Sequence, residues 1–205
     1  MSKVKVTSGM AITLDGFTAG TNQSFEKPFG DNFDVELLKR WMFNEPEKQK
    51  HKKEIDAILD AGAFIMGSNM FGPKDRRDTP EWKGWWGDNP PYHAQVFVLS
   101  HKERKPIKME GGTTFFFVTD GIKSALRKAK VAAGNRDVKI NGGANTVNQY
   151  LKAGLIDELW LHIVPVTIGT GTRLFEGVPN LKFEPIKVSG TNIVTHIRYN
   201  LSRRK

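Results

Sequence analysis

The chain has 205 residues, 39% of them hydrophobic, with no cysteine and a formal net charge of +9. The missing cysteine excludes disulfides, thiol catalysis and cysteine–zinc sites together, while the basic balance suits nucleic acid or a phosphorylated small molecule. Length and composition fit one domain over residues 1–205, large enough to bury roughly 70% of the surface its extended chain would expose. The opening residues lack the apolar run of a signal peptide, and no stretch approaches the ~18 apolar residues of a membrane span. A soluble, cytoplasmic protein with no membrane partner is therefore expected.

In chain order, "KVTSGMAITLDG" reads as an extended run that stops at Asp15 and Gly16. "FDVELLKRWMFN" places Val35, Leu38, Trp41 and Met42 on one helical face, and "KEIDAILDAG" repeats the pattern with Ile55, Ile58 and Leu59 before Gly62 stops it. The charge run "KQKHKK" that leads into this second helix reads as a solvated face. "AFIMG", "QVFVLS", "TFFFV" and "DVKI" are short apolar runs of the kind that form buried parallel strands. Between the first two lies a long loop, residues 72–94, and loops of that length usually have a function. "DGIKSALRKAKVAAG" is a helix with Ile122, Ala125, Leu126 and Ala129 on one face, Asp120 as a candidate cap and Gly134 as its end. The next helix follows Gly142 and Gly143 and presents Val147, Tyr150 and Leu151. "ELWLHIVPVTI" is a strand that bends or reaches an edge near Pro165. The last segment reads as a hairpin turning at Ser189 and Gly190, followed by a solubilising basic tail, "SRRK". Strands alternating with crossover helices imply an α/β fold in three layers, a mainly parallel mixed sheet of about eight strands with an antiparallel C-terminal hairpin.

Gly142 and Gly143 stand where a strand passes into a helix. A helix start offers unpaired N–H groups and a favourable dipole to an anion, and glycine lets the ligand approach closely. Asn145 and Thr146 add side-chain donors. The same spacing also describes a plain helix-start turn that binds nothing, and spacing alone does not separate the two. A P-loop is absent, because no Gly-Lys-Ser/Thr follows. "GTGTRLFEG" lacks the third glycine of a Rossmann turn, and Pro179 leaves no room for its helix. Two further strand ends are polar: Gly67, Ser68 and Asn69 close "AFIMG", and Ser100, His101, Lys102 and Arg104 close "QVFVLS". Ligands of open parallel sheets bind outside such carboxyl ends.

His51, His93, His101, His162 and His196 show no metal-ligand spacing, so no metal site is expected. His162, within a strand, reads as a packed or hydrogen-bonded core group. Trp82, Trp85 and Trp86 crowd one loop. They are either a lid over a flat organic ligand or a satellite core or dimer contact.

Taken together, "MAITLDGFTAG", "GAFIMGSNMFG", "WWGDNPPYHAQVFVLSH", "EGGTTFFFVTDGI", "INGGANTVNQYLKAGLIDELWLHIVPVTIGTGTRLFEG" and the closing hairpin resemble, in order and over nearly the whole chain, the dihydrofolate reductase family. The branch they resemble is the one near the C-terminal reductase domain of the bifunctional riboflavin-biosynthesis deaminase–reductase. The resemblance implies an eight-stranded, predominantly parallel sheet, NADPH bound across the strand ends, and hydride transfer to a pterin- or pyrimidine-like substrate. It assigns Gly142 and Gly143 to the pyrophosphate, with Ala144, Asn145 and Thr146 at the helix start. It sets Ala11 against the nicotinamide amide, and Leu99, Ser100 and His101 near the adenosine and its 2′-phosphate. Asn141 would face the reacting centre and Asp15 would open a mobile loop over it; if the loop is a lid, Trp85 and Trp86 would line the substrate side.

Gly67, Ser68 and Asn69 match a cofactor-binding position where many members carry arginine at the second or third residue. NADH is therefore not excluded, unless Lys102 or Arg104 substitutes. The zinc-binding His and Cys residues of the deaminase half have no counterpart here, so cytidine-type deamination is not expected. The helix carboxylate that holds a pterin is not placed, with Asp31, Asp34 and Glu36 nearby. A homodimer is implied by the resemblance alone. A non-catalytic nucleotide- or flavin-binding module is the alternative reading. Nucleic-acid binding is not expected, since the basic groups do not interleave with aromatics along one element.

Overall fold

The computed structural model describes residues 4–201, apart from the side chains of residues 37–39. Leu38, expected on the first helix's apolar face, and the basic tail at 202–205 lie outside that description. In chain order the elements are β1 (Val6–Thr13), β2 (Phe17–Ala19), α1 (Val35–Met42), α2 (Glu47–Lys50), α3 (Lys52–Leu59), β3 (Ala63–Gly67), α4 (Ser68–Phe71), β4 (Gln95–Leu99) and β5 (Ile107–Lys108). There follow β6 (Thr114–Val118), α5 (Ile122–Ala133), β7 (Val138–Gly142), α6 (Ala144–Lys152), β8 (Glu158–Val164), β9 (Thr172–Arg173), β10 (Phe183–Gly190) and β11 (Thr195–Leu201).

Nine strands form one sheet in the order β10-β11-β8-β1-β7-β3-β4-β6-β5. The six from β8 to β6 run parallel, and β10, β11 and β5 pair antiparallel at the two edges. Short β2 and β9 form a separate pair. Those two and β5 are two or three residues long, too short to leave a hydrophobic period in the sequence.

Two layers cover the sheet, because its apolar strands must be buried on both faces. On one face α5 and α6 pack Ala125, Leu126, Ala129, Val147, Tyr150 and Leu151 against Val6, Met10, Ile12, Ile65, Ile140 and Leu159. On the other, Phe64, Met66, Val96, Val98 and Phe115 meet Phe71, Tyr92, Trp82 and Trp86 from the segment after β3. Nearby, Trp41 of α1 packs with Val164, Ile193 and Val194.

Three local expectations change. Ser189 and Gly190 do not turn the hairpin: they pair with His196 and Thr195 inside the ladder, and the chain reverses at 191–194, closed by Thr191 N–H on the Val194 carbonyl at 3.0 Å. Glu54 of α3 draws Ser189 into the strand by accepting its hydroxyl at 2.9 Å. Asp120 does not cap α5. Gly121 occupies the cap, and the Asp120 carboxylate instead accepts from Ser124 at 2.6 Å and Lys128 at 3.2 Å. Within the charge run, His51 is 2% exposed rather than solvated.

Candidate functional site

The strands β1, β7, β3 and β4 are neighbours and end on the same edge of the sheet. At about 4.8 Å between strands, four ends span about 14 Å, the scale of an extended dinucleotide. Along this edge stand Ala11 of β1, the 141–146 junction, Gly67, Ser68 and Asn69 after β3, and Leu99, Ser100 and His101 after β4.

At the junction Gly142 has φ +114, a conformation side chains rarely adopt, and a Cβ there would come 3.3 Å from Met10 Sδ. The peptide joining it to Gly143 is cis. Gly143 caps α6 with φ −67, and its carbonyl accepts the N–H groups of Thr146 and Val147 at 3.0 and 3.2 Å. The N–H groups of Ala144 and Asn145 have no carbonyl within the helix to receive them. A Cβ on Gly143 would meet nothing within 4 Å. The fold therefore does not require glycine at 143, whereas a ligand seated on the helix start would.

Gly67 has the opposite character. A Cβ there would fall 2.3 Å from Thr146 Oγ1, so bare backbone lets the first turn of α6 lie on the end of β3. Thr146 is buried. Gly67→Ala is expected to destabilise the fold by about 1–3 kcal/mol, the usual cost of overpacking, measured by urea unfolding.

Ser68 and Asn69 open α4. The Asn69 side-chain oxygen accepts a hydrogen bond from the Arg77 guanidinium, delivered by the long loop. Arg104 donates to the carbonyls of Arg77, Pro80 and Trp82 at 3.1, 3.0 and 2.6 Å, so it clamps that loop from within. Lys102 pairs with Asp78 at 2.9 Å. Of the three basic groups at this end, Arg77 is the one set beside the β3 terminus. Reading position by position missed it, because it stands eight residues past Asn69 and only the folded loop returns it there. A groove of about 510 Å³ is lined here by Arg77, Ser100, Lys102, Arg104, Lys105 and Phe117. Ser100 closes its own turn with Lys102, and His101 is exposed.

Asn141 is half-buried and faces the Tyr92 hydroxyl, and burial pushes that phenol well above its usual range. Asp15 ties two loops together. Its carboxylate accepts from Thr13 Oγ1 at 2.6 Å and from the backbone of Gly169 and Ile168 at 2.7 and 3.1 Å, and the Thr13 bond foremost holds its pKa down. The loop tryptophans divide. Trp86 stacks on Phe115 and Trp82 donates to the Phe71 carbonyl at 3.0 Å, so both are satellite core. Trp85 stacks on Phe25, 5.7 Å between centroids, and thereby joins the long loop to residues 20–31.

Asp31 is paired with Lys27 at 2.7 Å, and the Asp34 carboxylate accepts the Glu36 N–H at 2.9 Å. A second groove, about 690 Å³, runs past Asp31, Asn22, Lys27, Phe29 and Phe33. Among the described residues, no helix is long and apolar enough to cross a membrane.

On the sheet face that holds Tyr92, strand register sets His162 of β8 opposite Ala11 and opposite His196 of β11. His162 Nδ1 lies 2.7 Å from His196 Nδ1, and His196 Nε2 lies 2.9 Å from His51 Nδ1. His162 is the hydrogen-bonded core group its strand position implied. The convergence of three histidines 145 residues apart is invisible in their spacing.

The chain is 25% identical over 194 residues to the uncharacterized protein YyaP of Bacillus subtilis, covering 90% of this chain and 89% of that one. A Shewanella sp. PV-4 structure described as a candidate riboflavin biosynthesis protein superposes with TM-score 0.70 at 22% identity, over 98% of this chain and all of that one. The deaminase/5-amino-6-(5-phosphoribosylamino)uracil reductase of Thermotoga maritima gives TM-score 0.59 at 16% identity, over 98% of this chain but 57% of that one. Dihydrofolate reductase of Enterococcus faecalis, complexed with NADP(H), gives 0.54 at 13%, over 96% of each chain. These likenesses establish a dihydrofolate reductase-like fold. The RibD C-terminal domain model matches residues 4–195, and the chain belongs to that family.

Proposed function

We propose that the chain is an NADPH-dependent reductase that transfers a hydride to a small pyrimidine-like heterocycle. The observation that carries this reading is the row of four adjacent strand ends, with an open Gly143 at the start of α6 and Arg77 beside Asn69. The N–H groups of Ala144 and Asn145 would receive the pyrophosphate, and helix geometry makes them available. Ala11 would floor the nicotinamide. Hydride transfer needs chiefly donor and acceptor carbons held in contact with water excluded, which fits a site rich in backbone and poor in acids and bases. The cofactor supplies the hydride. The chain supplies position and, through Asn141, a polar contact for the substrate.

Arg77 is the group expected to read the 2′-phosphate, in place of an arginine at position 68 or 69. Arg77→Ala should weaken NADPH by about tenfold or more, the loss of a charge-assisted contact, and leave NADH nearly unchanged. Titration of tryptophan fluorescence with each cofactor measures both. Equal loss for both cofactors would assign Arg77 to loop structure instead. Turnover is tested by NADPH oxidation with 5-amino-6-(5-phosphoribosylamino)uracil, the substrate in the Thermotoga enzyme's name. The same reading makes the protein a cytoplasmic homodimer acting on a small molecule. Light scattering at micromolar concentration tests the dimer.

A further inference from the structure

The start of α6 and the turn that follows β1 stand at two places along the strand-end row, and one loop is fastened to both. Asn148 of α6 is 3% exposed and lies one turn past Ala144 and Asn145. Its side-chain oxygen accepts the Phe175 N–H at 2.8 Å, and its side-chain NH2 donates to the Arg173 carbonyl at 3.2 Å. One amide therefore takes the backbone groups on both sides of Leu174, as a neighbouring strand would. That grip accounts for Phe175, whose φ of +71 lies in the left-handed region that glycine normally fills. Such a φ on a bulky residue persists only where its surroundings over-determine it. Asn148, the Phe183 ring 5.6 Å away and the buried Leu174 do so here.

The other margin of the loop is tied to β1 and β2. Val164 of β8 and Thr13 of β1 are register partners, so the chain leaves β8 beside the end of the strand that carries Ala11. The Leu14 N–H donates to the Val166 carbonyl at 2.8 Å, and the Asp15 carboxylate accepts the N–H groups of Ile168 and Gly169. Farther along, the Arg173 guanidinium donates to the Asp15 carbonyl at 2.9 Å and lies 4.2 Å from the centroid of the Phe17 ring. The Leu174 N–H donates to the Gly16 carbonyl at 2.9 Å. Gly171 passes so close to β2 that a Cβ there would collide with the Ala19 carbonyl oxygen. Residues 166–175 thus form a strap, gripped by α6 at one margin and by residues 13–19 at the other.

We propose that Asn148 is a positioning residue for the nicotinamide end of the site: by fixing the strap to α6, it sets where the turn at residues 13–17 stands relative to the helix start. This rests on the reductase reading. The strap walls the β8–β1 side of the strand-end row, which on that reading is the nicotinamide end. Asn148 is too buried to touch cofactor or substrate, so whatever it does there passes through Arg173, Leu174 and Phe175. Hydride transfer depends on placement, and an error of about 1 Å costs on the order of a hundredfold in rate. Loss of the Asn148 grip should therefore impair the nicotinamide end and spare the pyrophosphate end, although Asn148 belongs to the helix that forms the pyrophosphate end.

The test pairs Asn148→Ala with two ligands, NADPH and 2′-phospho-ADP-ribose, the same dinucleotide without its nicotinamide. Fluorescence titration should show NADPH weakened by about fivefold or more, with 2′-phospho-ADP-ribose held within about twofold of the parent protein. A merely structural role would loosen α6 and weaken both ligands alike. Equal loss for both, or loss for neither, overturns the proposal. Arg173→Ala removes the strap's exposed tie to Asp15 without entering the buried helix, and should give the same split, so it carries the test if Asn148→Ala does not fold. Amide hydrogen exchange of the ligand-free protein is the second measurement. Either variant should speed exchange at Ile168 and Gly169, which touch Asp15 and not Asn148, by about tenfold, with the β8 amides unchanged. Unaltered exchange at those two amides overturns the strap whatever the titrations show. A parent protein that binds neither ligand overturns the reductase reading, and the positioning role with it, whether or not the exchange is altered.

Discussion

Gly143→Ala should weaken NADPH binding by about tenfold or more while leaving thermal stability within about 1 °C of the parent. The asymmetry follows from two positions side by side. A methyl at 143 points into open space on a backbone that alanine readily adopts, so the folded protein loses little. It would nonetheless stand where the proposed pyrophosphate approaches the N–H groups of α6, and a lost charge-assisted contact is worth on the order of 1.5–3 kcal/mol. Gly142→Ala should behave differently. With φ +114 and Met10 Sδ 3.3 Å away, it should lower stability as well as affinity. Fluorescence titration and thermal melts of both variants separate the effects. A Gly143→Ala protein that melts early but binds normally would make the Gly pair a plain turn.

Stability should fall steeply as pH drops from 6.5 to 4.5, most of it above the range where carboxylates titrate. Burial pushes His162 down to about 3 and His196 down to about 4, against about 6.5 for an unfolded histidine. Between those values the unfolded chain binds more protons than the native one. The sign is therefore fixed: stability rises with pH through this window and levels above about 6.5. The slope for each such histidine approaches about 1.4 kcal/mol per pH unit. The charged groups facing the cluster are Glu54 of α3, Lys187 of β10 and Lys139 of β7. Burial pushes Glu54 up, but hydrogen bonds from Ser189 and Lys187 outweigh it and hold it below its usual range. Burial lowers Lys139 to about 8, so its own loss of charge falls at higher pH. Urea unfolding across pH 4.5–7.5 measures the slope. A flat profile from 6.5 to 4.5 would mean that the histidines are not held neutral.

The parallel strands and crossover helices were legible because each leaves a period in the sequence. β3 and β6 coincide residue for residue with their apolar runs, and α6 buries the Val147, Tyr150 and Leu151 it was expected to bury. The strand ends were legible too, since Gly67, Ser100 and Gly142 each close such a run or lie within two residues of its end. What escaped is non-local. Arg77 returns to Asn69 only because Arg104 gathers the long loop by three carbonyls. The three histidines come from α2–α3, β8 and β11, and the pairing of β8 with β11 brings two of them together. Ser189 and Gly190 looked like a turn by residue type, but the Glu54 carboxylate and the ladder with β11 override that preference. The loop tryptophans could not be sorted between lid and core without knowing which of them reach Phe71 and Phe115.

On the proposed reading, a nicotinamide dinucleotide lies along the ends of β1, β7, β3 and β4. Titration of nitrogen-15-labelled protein with NADPH, read as backbone amide shifts, tests it most directly. The largest shifts should fall at Gly143, Ala144, Asn145 and Thr146, at Ser68 and Asn69, and at Ser100 and His101, with β10 and β11 nearly silent. Saturating NADPH that shifts none of these amides, or shifts only the groove around Asn22, Phe29 and Asp31, would contradict it.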